Sequence, residues 1–237
     1  MSNEKLYIVI PAFNEQENIR NVIEDWYPIV EKYNANQESR LIIIDDGSKD
    51  NTFTIMQEYA RTRLLFYPIK KKNSGHGPTV LYGYHYALDN GADYIFQTDS
   101  DGQTISAEFI QFWKLREKYD MIIGYRNNRK DGFVRIMVTK VLKIVIWFSF
   151  GIVILDANTP FRLMSRASLI KNIEYIPDDF NLANVILSVI YAKKRQKVHY
   201  IPITFRCRQG GKNSINLKQL LRIGLQTLKN FNNFIIE

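Results

Sequence analysis

The chain has 237 residues, of which 32 are Lys or Arg and 24 are Asp or Glu, so its formal net charge is +8. With 46% hydrophobic and 24% charged residues, its composition is globular and excludes a disordered, collagenous or low-complexity chain. The one cysteine, Cys207, excludes a disulfide framework and a cysteine-rich zinc site. The basic balance favours an anionic partner such as a nucleic acid, a phosphorylated substrate or an anionic membrane face.

Neither a signal peptide nor a membrane-spanning segment is expected from the apolar runs of the sequence. The first run, Leu6–Ile10, is shorter than the ~7–15 residues of a signal-peptide core. The nearest approach to a span, Ile144–Leu155, is also shorter than the ~18 uncharged apolar residues that crossing requires. We therefore expect that the chain does not cross a bilayer by itself.

Short apolar runs alternate with helical patterns through the first half of the chain. The predicted strands are Leu6–Ile10, Leu41–Ile44, Leu64–Pro68 and Tyr94–Gln97, and the predicted helices are Glu15–Tyr33, Thr52–Arg61 and Thr79–Asn90. Buried strands that alternate with helices predict an α/β fold with a parallel sheet. In such a sheet ligands bind at the carboxyl ends of the strands, where this chain has its polar clusters.

The second half of the chain is less regular. We predict a strand at Asp120–Gly124, a strongly apolar segment at Val134–Leu155, an amphipathic helix at Phe180–Ala192, a strand at Val198–Phe205 and a C-terminal helix at Leu217–Phe231. The sequence contains no internal repeat and no Gly/Ser linker. These patterns indicate one domain with a C-terminal extension.

Two carboxylates directly follow the fourth predicted strand. Asp99 and Asp101 stand two residues apart in a turn that Gly102 permits, so they can converge on one cation. Mg²⁺ and Mn²⁺ take oxygen ligands of this kind together with substrate phosphates, and Gln103 offers a neutral carbonyl oxygen. The alternative is a solvated turn, because two Asp residues with this spacing also occur by chance. The position after a buried strand favours the metal site.

Three further polar clusters follow other strands. Asp45 and Asp46 could accept hydrogen bonds from a nucleobase or from ribose hydroxyls. Phe13 could stack on a base, while Glu15 could accept from ribose or favour the N terminus of a helix. The loop Asn73–Gly77 precedes a helix whose N terminus favours anions, but it lacks the full glycine pattern of dinucleotide-binding loops. For the acidic clusters the alternative is a polar turn with a helix cap.

Four segments resemble, in order and spacing, the motifs of the family 2 glycosyltransferases. They are Ile10–Glu15 (IPAFNE), Ile44–Thr52 (IDDGSKDNT), Asn73–Gly77 (NSGHG) and Thr98–Gln103 (TDSDGQ). The resemblance implies the GT-A fold, a Rossmann-like, mostly parallel sheet flanked by helices, with C-terminal amphipathic or interfacial helices. It also implies transfer of a sugar, with inversion, from a UDP- or GDP-linked sugar.

The same resemblance implies the site residues. It assigns Mg²⁺ or Mn²⁺ to Asp99, Asp101 and Gln103, and it makes Asp99 and Asp101 catalytic. The residues implied for the nucleotide sugar are Pro11, Ala12, Phe13, Glu15, Asp45, Asp46, Asn73, Gly75, His76, Gly77, Asp99 and Ser100. The implied domain boundaries are a catalytic domain at 1–215, with a nucleotide-sugar half at about 1–110 and an acceptor half at about 111–215, and an amphipathic helix at 216–237.

The second half resembles one branch of the family, the polyprenyl-phosphate transferases typified by dolichyl-phosphate mannose synthase. The matching segments are Gln103, Gly124–Arg126, Phe161–Leu163, Ile201–Phe205 and Arg208–Ser214. Two features depart from the branch pattern: Pro160 replaces the usual glycine before Phe161, and one extra residue lies between Arg208 and Ser214. These departures concern the acceptor rather than the donor.

The acceptor decides which further residues take part. A polyprenyl phosphate is already an anion and needs a basic clamp, for which the candidates are Arg126, Arg135, Arg208, Lys212 and Ser214, with Arg126 and Arg208 also predicted to be catalytic. A saccharide hydroxyl needs a general base instead, and Asp179 and Asp156 are the candidates. Helix capping is the alternative role of Asp179.

The segment Ile136–Leu155 interleaves aliphatic and aromatic residues with Lys140 and Lys143. We expect it to contact the membrane interface, while a core helix or a dimer contact is the alternative. The expected location is cytoplasmic and peripheral, on the cytoplasmic face of the membrane. No nucleic acid is expected as a partner, whereas a homodimer or a separate membrane protein fits the sequence. An inactive binding protein with the GT-A fold is the competing functional class.

Overall fold

The computed structural model describes residues 4–34, 36–126 and 142–206. Seven strands in these ranges form one sheet. They are β1 (Leu6–Ala12), β2 (Arg40–Asp45), β3 (Phe66–Lys70), β4 (Tyr94–Gln97), β5 (Met121–Arg126), β6 (Arg162–Ser165) and β7 (Val198–Ile203). Their order across the sheet is β3-β2-β1-β4-β6-β5-β7.

Six of the described strands run in one direction, and only β6 is antiparallel to its neighbours β4 and β5. The prediction of a mostly parallel α/β sheet is therefore confirmed. The carboxyl ends of the six strands meet at one edge of the sheet, where β6 begins at Arg162. We call this the carboxyl edge.

Helices cover both faces of the sheet. They are α1 (Ile19–Lys32), α2 (Thr52–Ala60), α3 (His76–Asp89), α4 (Phe109–Leu115), α5 (described over 142–150), α6 (Arg166–Ile173) and α7 (Ala183–Lys193). Alternate residues of each strand point to opposite faces. Ile8 in β1 therefore packs in the core beneath α1, α2 and α4, while Val9 packs in the core beneath α3, α5, α6 and α7.

The helix predicted at Phe180–Ala192 differs from the structure in both extent and character. Helix α7 begins at Ala183, and every residue from Ala183 to Tyr191 is buried, so it is a core helix rather than an amphipathic one. It contacts α3 and α6 as well as the core. The sequence prediction also missed β6, α4 and α6, which are only four, seven and eight residues long. Such short elements give too few residues for a periodic pattern.

Strand β1 continues through Pro11 to Ala12, two residues beyond the predicted end at Ile10. The carbonyl of Val9 accepts a hydrogen bond from Thr98 beyond the end of β4, and the carbonyl of Pro11 accepts one from Ser100 on the same side. The nitrogen of Pro11 therefore faces the side on which β4 has already ended at Gln97. Proline removes no ladder hydrogen bond at this position, so the central strand tolerates it.

Each outer strand of the sheet carries a proline whose nitrogen faces away from the sheet. The amide of Leu41 donates to the carbonyl of Leu65, so the backbone groups of residues 65, 67 and 69 face β2 and Pro68 faces outwards. In β7, the carbonyl of Lys197 accepts from the β5 side, which by the same alternation turns Pro202 outwards. Proline within a sheet is normally confined to such edges.

Candidate active site

The turn after β4 is built by hydrogen bonds to its own backbone and to β1. The hydroxyl of Ser100 donates to the carbonyl of Pro11 at 2.8 Å, and the hydroxyls of Thr98 and Thr104 lie 2.8 Å apart. Asp101 accepts from the amide of Gln103 at 3.1 Å. Gly102 has a positive φ of 68°, a conformation that glycine adopts without strain. Asp99 and Asp101 are therefore presented on a fixed turn at the carboxyl edge.

Oxygen donors at this turn fit a hard divalent cation. Gln103 is buried, and its side-chain nitrogen donates to the carbonyl of Arg206 at 2.8 Å, which leaves its carbonyl oxygen as the group that a cation could use. In the part of the chain that the structure describes, no cluster of three or more His, Cys, Asp or Glu forms a metal site. Two carboxylates and an amide, completed by substrate phosphates, match the usual ligands of Mg²⁺ and Mn²⁺.

His76, the first residue of α3, contacts the acidic turn. Its Nε2 lies 3.0 Å from Oδ1 of Asp99, and its side chain is 51% exposed. Desolvation lowers the pKa of His76, but the charge and hydrogen bond of Asp99, together with the charges of Asp101 and Asp46, outweigh it and raise the pKa above its ordinary value. The structure thus joins the Asn73–Gly77 loop to the acidic turn.

Asp46 organises the Asn73–Gly77 loop. Its carboxylate accepts from Nζ of Lys71 at 2.6 Å, from the amide of Ser74 at 2.9 Å and from the amide of Gly75 at 2.8 Å. Burial alone would raise the pKa of Asp46, but these hydrogen bonds outweigh it and lower the pKa. Both oxygens of the carboxylate are thus engaged by the protein, so Asp46 shapes the loop, and its predicted contact with the nucleotide sugar stays a prediction.

Lys71 was missed by the sequence analysis although it lies at the centre of this loop. Its ammonium group contacts Asp46, the hydroxyl of Thr79 at 3.2 Å and the carbonyl of Lys72 at 3.0 Å, and it also bonds to the hydroxyl of Ser74. The sequence signal that could have found it is the run of three lysines, residues 70–72, at the carboxyl end of β3 beside the acidic clusters. A run of lysines ordinarily indicates a solvated surface.

The first two loops of the carboxyl edge interlock. Asn14, in a left-handed conformation, accepts from the amide of Lys49 at 2.9 Å, and its own amide donates to Ser48 at 2.8 Å. Asp45 is fully buried and accepts from the amide of Ser48 at 3.2 Å. Glu15 is buried and accepts from Asn18 at 2.7 Å.

Exposure distinguishes Phe13 from Ala12, two of the predicted nucleotide-sugar contacts at the end of β1. Phe13 is 44% exposed and is available to stack on a planar group, whereas Ala12 is buried in the sheet. Phe13 therefore remains a candidate for base stacking. Ala12 contributes its backbone, because its carbonyl accepts from the amide of Asp46 at 2.8 Å.

Each glycine of the Asn73–Gly77 loop has its own structural reason. Gly75 has a φ of 97°, which favours glycine, and Asn73 fixes the loop by donating to the carbonyl of Asp46 at 2.8 Å. A Cβ on Gly77 would lie 2.3 Å from the carbonyl oxygen of Phe180 and 2.4 Å from that of Asn181. Gly77 is therefore required by packing against the segment before α7, and its predicted contact with the nucleotide sugar stays a prediction.

Arg126 and Asp156, predicted as a phosphate clamp and as a base, form an ion pair with each other. Nε and Nη2 of Arg126 lie 2.9 Å from the two carboxylate oxygens of Asp156, and both side chains are largely buried. Thr159 donates to the same carboxylate at 3.1 Å. In this arrangement Asp156 is an oriented anion, so it lacks the free position that a general base needs. Arg126 likewise keeps only part of its guanidinium for another anion.

Asp179, the other candidate base, and its neighbour Asp178 precede α7. Asp178 is exposed and lies 3.4 Å from Nε2 of His85, a contact with the third turn of the helix. Asp179 is exposed and directly precedes Phe180, whose carbonyl packs on Gly77 at the start of α3. Asp179 is therefore adjacent in sequence to the backbone that packs on Gly77. The predicted residues Arg135, Arg208, Lys212 and Ser214, together with 216–237, lie outside the described residues.

Helix α5 has one buried and one exposed apolar face. Ile146 and Phe150 pack in the core, whereas the side chains of Trp147 and Phe148 are 53% and 75% exposed and touch edge to face. The exposed apolar residues, which we call the α5 surface, are Ile144, Trp147, Phe148, Val153 and Leu155. Within the described ranges, none of the helices reaches the length and hydropathy needed to cross a bilayer.

Known proteins resemble this chain in sequence. Residues 7–173 match the family model described as glycosyl transferase family 2. The UDP-N-acetylglucosamine–dolichyl-phosphate N-acetylglucosaminyltransferase of Methanococcus voltae is 26% identical over 189 residues, which are 71% of this chain and 72% of that protein. The undecaprenyl-phosphate 4-deoxy-4-formamido-L-arabinose transferase of Proteus mirabilis is 28% identical over 150 residues, which are 62% of this chain and 44% of that protein.

Solved structures resemble the chain in fold. The glucosyl-3-phosphoglycerate synthase of Mycobacterium tuberculosis, crystallised with Mn²⁺, UDP and glucosyl-3-phosphoglycerate, superposes with a TM-score of 0.67 at 18% identity over 98% of this chain and 81% of that one. At this identity the likeness concerns the fold alone, and it confirms the prediction of a GT-A architecture. The sequence relatives confirm the resemblance to polyprenyl-phosphate transferases.

Proposed function

The chain belongs to glycosyl transferase family 2 and is a glycosyltransferase, and from this premise we propose that it transfers a sugar from a UDP- or GDP-linked sugar to a polyprenyl phosphate at a membrane surface. Relatives that act on dolichyl and undecaprenyl phosphates support the choice of acceptor. The α5 surface is the observation that carries it, because a lipid acceptor requires the enzyme to meet the bilayer.

The donor would bind at the carboxyl edge between β1, β2 and β4. Phe13 is available to stack on the base, and the turn with Asp99 and Asp101 lies where the diphosphate is expected. Mg²⁺ or Mn²⁺, held by these carboxylates and Gln103, would supply positive charge to the departing nucleoside diphosphate. Mn²⁺ in a structural neighbour supports this choice of cofactor.

In the proposed reaction a phosphate oxygen of the acceptor attacks the anomeric carbon of the donor sugar. The bond between that carbon and the diphosphate oxygen breaks, and the electron pair leaves with the nucleoside diphosphate, which inverts the anomeric centre. A phosphate monoester is an anion at neutral pH, so no side chain has to remove a proton. The chain's own task is to hold two anions close together.

Basic residues would balance the charge of the acceptor phosphate. Arg208, Arg135, Lys212 and the hydroxyl of Ser214 are proposed for this role from the family resemblance. Arg126 would contribute only the part of its guanidinium that Asp156 leaves free. Arginine suits the role because its planar group makes paired hydrogen bonds to phosphate.

The α5 surface would place the protein peripherally on the cytoplasmic face of the membrane. Trp147 and Phe148 belong to the aromatic class that favours the interface between lipid and water, and Lys143 on the same helix is exposed. Lysine beside such a surface attracts anionic head groups, so apolar and charged contacts act together.

A saccharide hydroxyl is the second candidate acceptor, and the position of Asp179 favours it. Asp179 is solvent-exposed and directly precedes Phe180, whose carbonyl packs on Gly77 of the proposed nucleotide-sugar loop. A hydroxyl must lose its proton as it attacks, and a carboxylate within hydrogen-bond reach could take it.

Radiolabel transfer from a panel of UDP- and GDP-sugars with Mn²⁺ tests the proposal. Short-chain polyprenyl phosphate and free sugars are offered as acceptors. The proposal expects organic-phase product that is lost in Asp101→Asn but kept in Glu117→Gln, an exposed carboxylate at the opposite end of the sheet. Product only on free sugars would favour the second candidate. No transfer and no metal-dependent nucleotide binding would indicate an inactive binding protein.

Co-sedimentation with vesicles that contain anionic lipid tests the membrane contact separately. The double variant Trp147→Ser/Phe148→Ser should remain in the supernatant, whereas wild type pellets. Leu64→Ser is the matched control, because Leu64 is 82% exposed but lies before β3, away from the α5 surface. Equal pelleting of all three proteins would contradict the contact.

A further inference from the structure

Segment 204–206, which follows β7, is held by three residues: Glu108, Arg126 at the end of β5, and Gln103 in the acidic turn. The amide of Thr204 donates to the carboxylate of Glu108 at 3.0 and 3.1 Å. The guanidinium of Arg126 lies over the ring of Phe205, 5.2 Å from its centroid. Arg206 and Gln103 exchange two hydrogen bonds of 2.8 Å, one from the amide of Arg206 and one from the side chain of Gln103. An irregular segment is thereby fixed beside the proposed metal ligands.

Asp156 orients Arg126, whose guanidinium lies over Phe205. A bidentate pair fixes the plane of a guanidinium as well as its position. With Nε and Nη2 of Arg126 both 2.9 Å from Asp156, the flat face of that group is set against Phe205. The pair is largely shielded from solvent, so removal of the anion would leave Arg126 without the partner that orients it.

Arg162 in turn anchors the loop that carries Asp156. Its guanidinium is fully buried and donates to the carbonyls of Thr159 at 2.7 Å, of Ala157 at 3.1 Å and of Asn184 at 3.0 Å. These contacts tie the loop to β6 and to α7. The carboxylate of Asp156 therefore stands on a rigid base, in keeping with a role in positioning.

We infer that Asp156 is a positioning residue, which, through Arg126 and Phe205, holds segment 204–206 against Gln103 at the acidic turn. The contacts run from Arg162 to the loop of Asp156, then to Arg126 and Phe205, and end at Gln103. The orientation of the Gln103 amide is thus linked to an ion pair at the end of β5. This positioning role differs from the base predicted for Asp156 and from the phosphate clamp predicted for Arg126.

The functional consequence rests on the proposed function. Arg208, a proposed acceptor ligand, follows Arg206 by two residues in the sequence. If Asp156 fixes the start of this stretch beside the donor site, its loss should impair the use of the acceptor more than the binding of the donor. Donor hydrolysis by water would then compete better with transfer.

Amide hydrogen exchange with single-residue resolution tests the positioning role without any substrate. In Asp156→Asn the amides of Thr204 and Arg206 should exchange faster by about tenfold or more, because local opening becomes easier. The amide of Asp93, bonded to Lys5 at the opposite edge, should be unchanged. Glu4→Gln, which breaks the comparable ion pair with Arg116 at that edge, is the matched control.

Unchanged exchange at Thr204 and Arg206 in Asp156→Asn would overturn the inference. If that variant does not fold, Thr159→Val decides instead, because it keeps both charges and removes only one hydrogen bond to Asp156. It should accelerate exchange at the same two amides by a smaller factor, and no acceleration would again overturn the inference.

The ratio of donor hydrolysis to transfer tests the link to catalysis. This ratio is independent of the fraction of folded enzyme, so a merely structural defect would not move it. It should rise by about tenfold in Asp156→Asn and stay at the wild-type value in Glu4→Gln. An unchanged ratio beside normal wild-type transfer would refute the link. Absence of transfer in wild type would count against the proposed function, while the exchange result would still decide the role of Asp156.

Discussion

Replacement of Asp46 by asparagine should destabilise the fold by about 3 kcal/mol. One oxygen of the carboxylate accepts from Lys71 and Ser74, and the other accepts from Gly75. Asparagine can keep its carbonyl on the side with two donors, but its amide nitrogen then faces the N–H of Gly75. The partly buried donor left without a partner costs about 1–3 kcal/mol, and the lost charge weakens the bond to Lys71 by about 1–2 kcal/mol.

Urea unfolding followed by circular dichroism measures this loss. Asp89→Asn, on an exposed residue at the end of α3, is the control and should leave stability unchanged. The folded-state pKa of Asp46 is lowered, so its contribution is complete above an unfolded-state pKa of about 3.9. The difference between wild type and Asp46→Asn should therefore be constant from about pH 7 to 5 and shrink below about pH 4.

A loss below about 1 kcal/mol for Asp46→Asn, or a difference that grows as the pH falls, would refute this reasoning. The double variant with Lys71→Met provides a second check. Because Asp46 and Lys71 contact each other, their two effects should be less than additive. Full additivity would mean that the ion pair does not hold the loop.

Three other predictions follow from the same structure. Gly77→Ala should lower stability by about 1–3 kcal/mol in a urea titration, because its Cβ would meet the backbone of Phe180, and a wild-type value would contradict that packing. Burial raises the pKa of Tyr191 to about 12, so stability should fall as pH rises from about 10 to about 12, a decline that Tyr191→Phe should lessen. Asp179→Asn should change transfer to polyprenyl phosphate by less than about twofold, because that acceptor has no proton to lose, whereas a loss of about 100-fold or more would contradict this reading of the acceptor.

The sheet could be predicted from sequence because its strands are continuous apolar runs. Strand β4 matches its predicted bounds, and β1 and β2 contain the predicted runs. Strand β6 could not be predicted, because it has four residues and begins with a buried arginine. Its position between β4 and β5 is set by the packing of the whole sheet rather than by its own pattern.

The parts of the site that lie within one motif were easier to predict than the contacts between motifs. Asp99, Asp101 and Gln103 share one short turn, and their common location follows from their spacing. Asp156 stands 30 residues from Arg126, and sequence spacing alone gives no sign that they form an ion pair. Their charges indicated separate chemical roles, but the fold brings them together and gives them a structural one.

The outward-facing prolines of the two outer strands affect how copies of the protein can crowd together. An exposed strand edge normally invites another chain to extend the sheet, and proline lacks the amide hydrogen that such pairing uses. Pro68 is the central residue of β3 and Pro202 is the fifth of the six residues of β7, so each outer strand lacks one outward amide hydrogen. A high local concentration of the protein, such as a membrane surface would produce, should therefore not lead to edge-to-edge sheet pairing between copies.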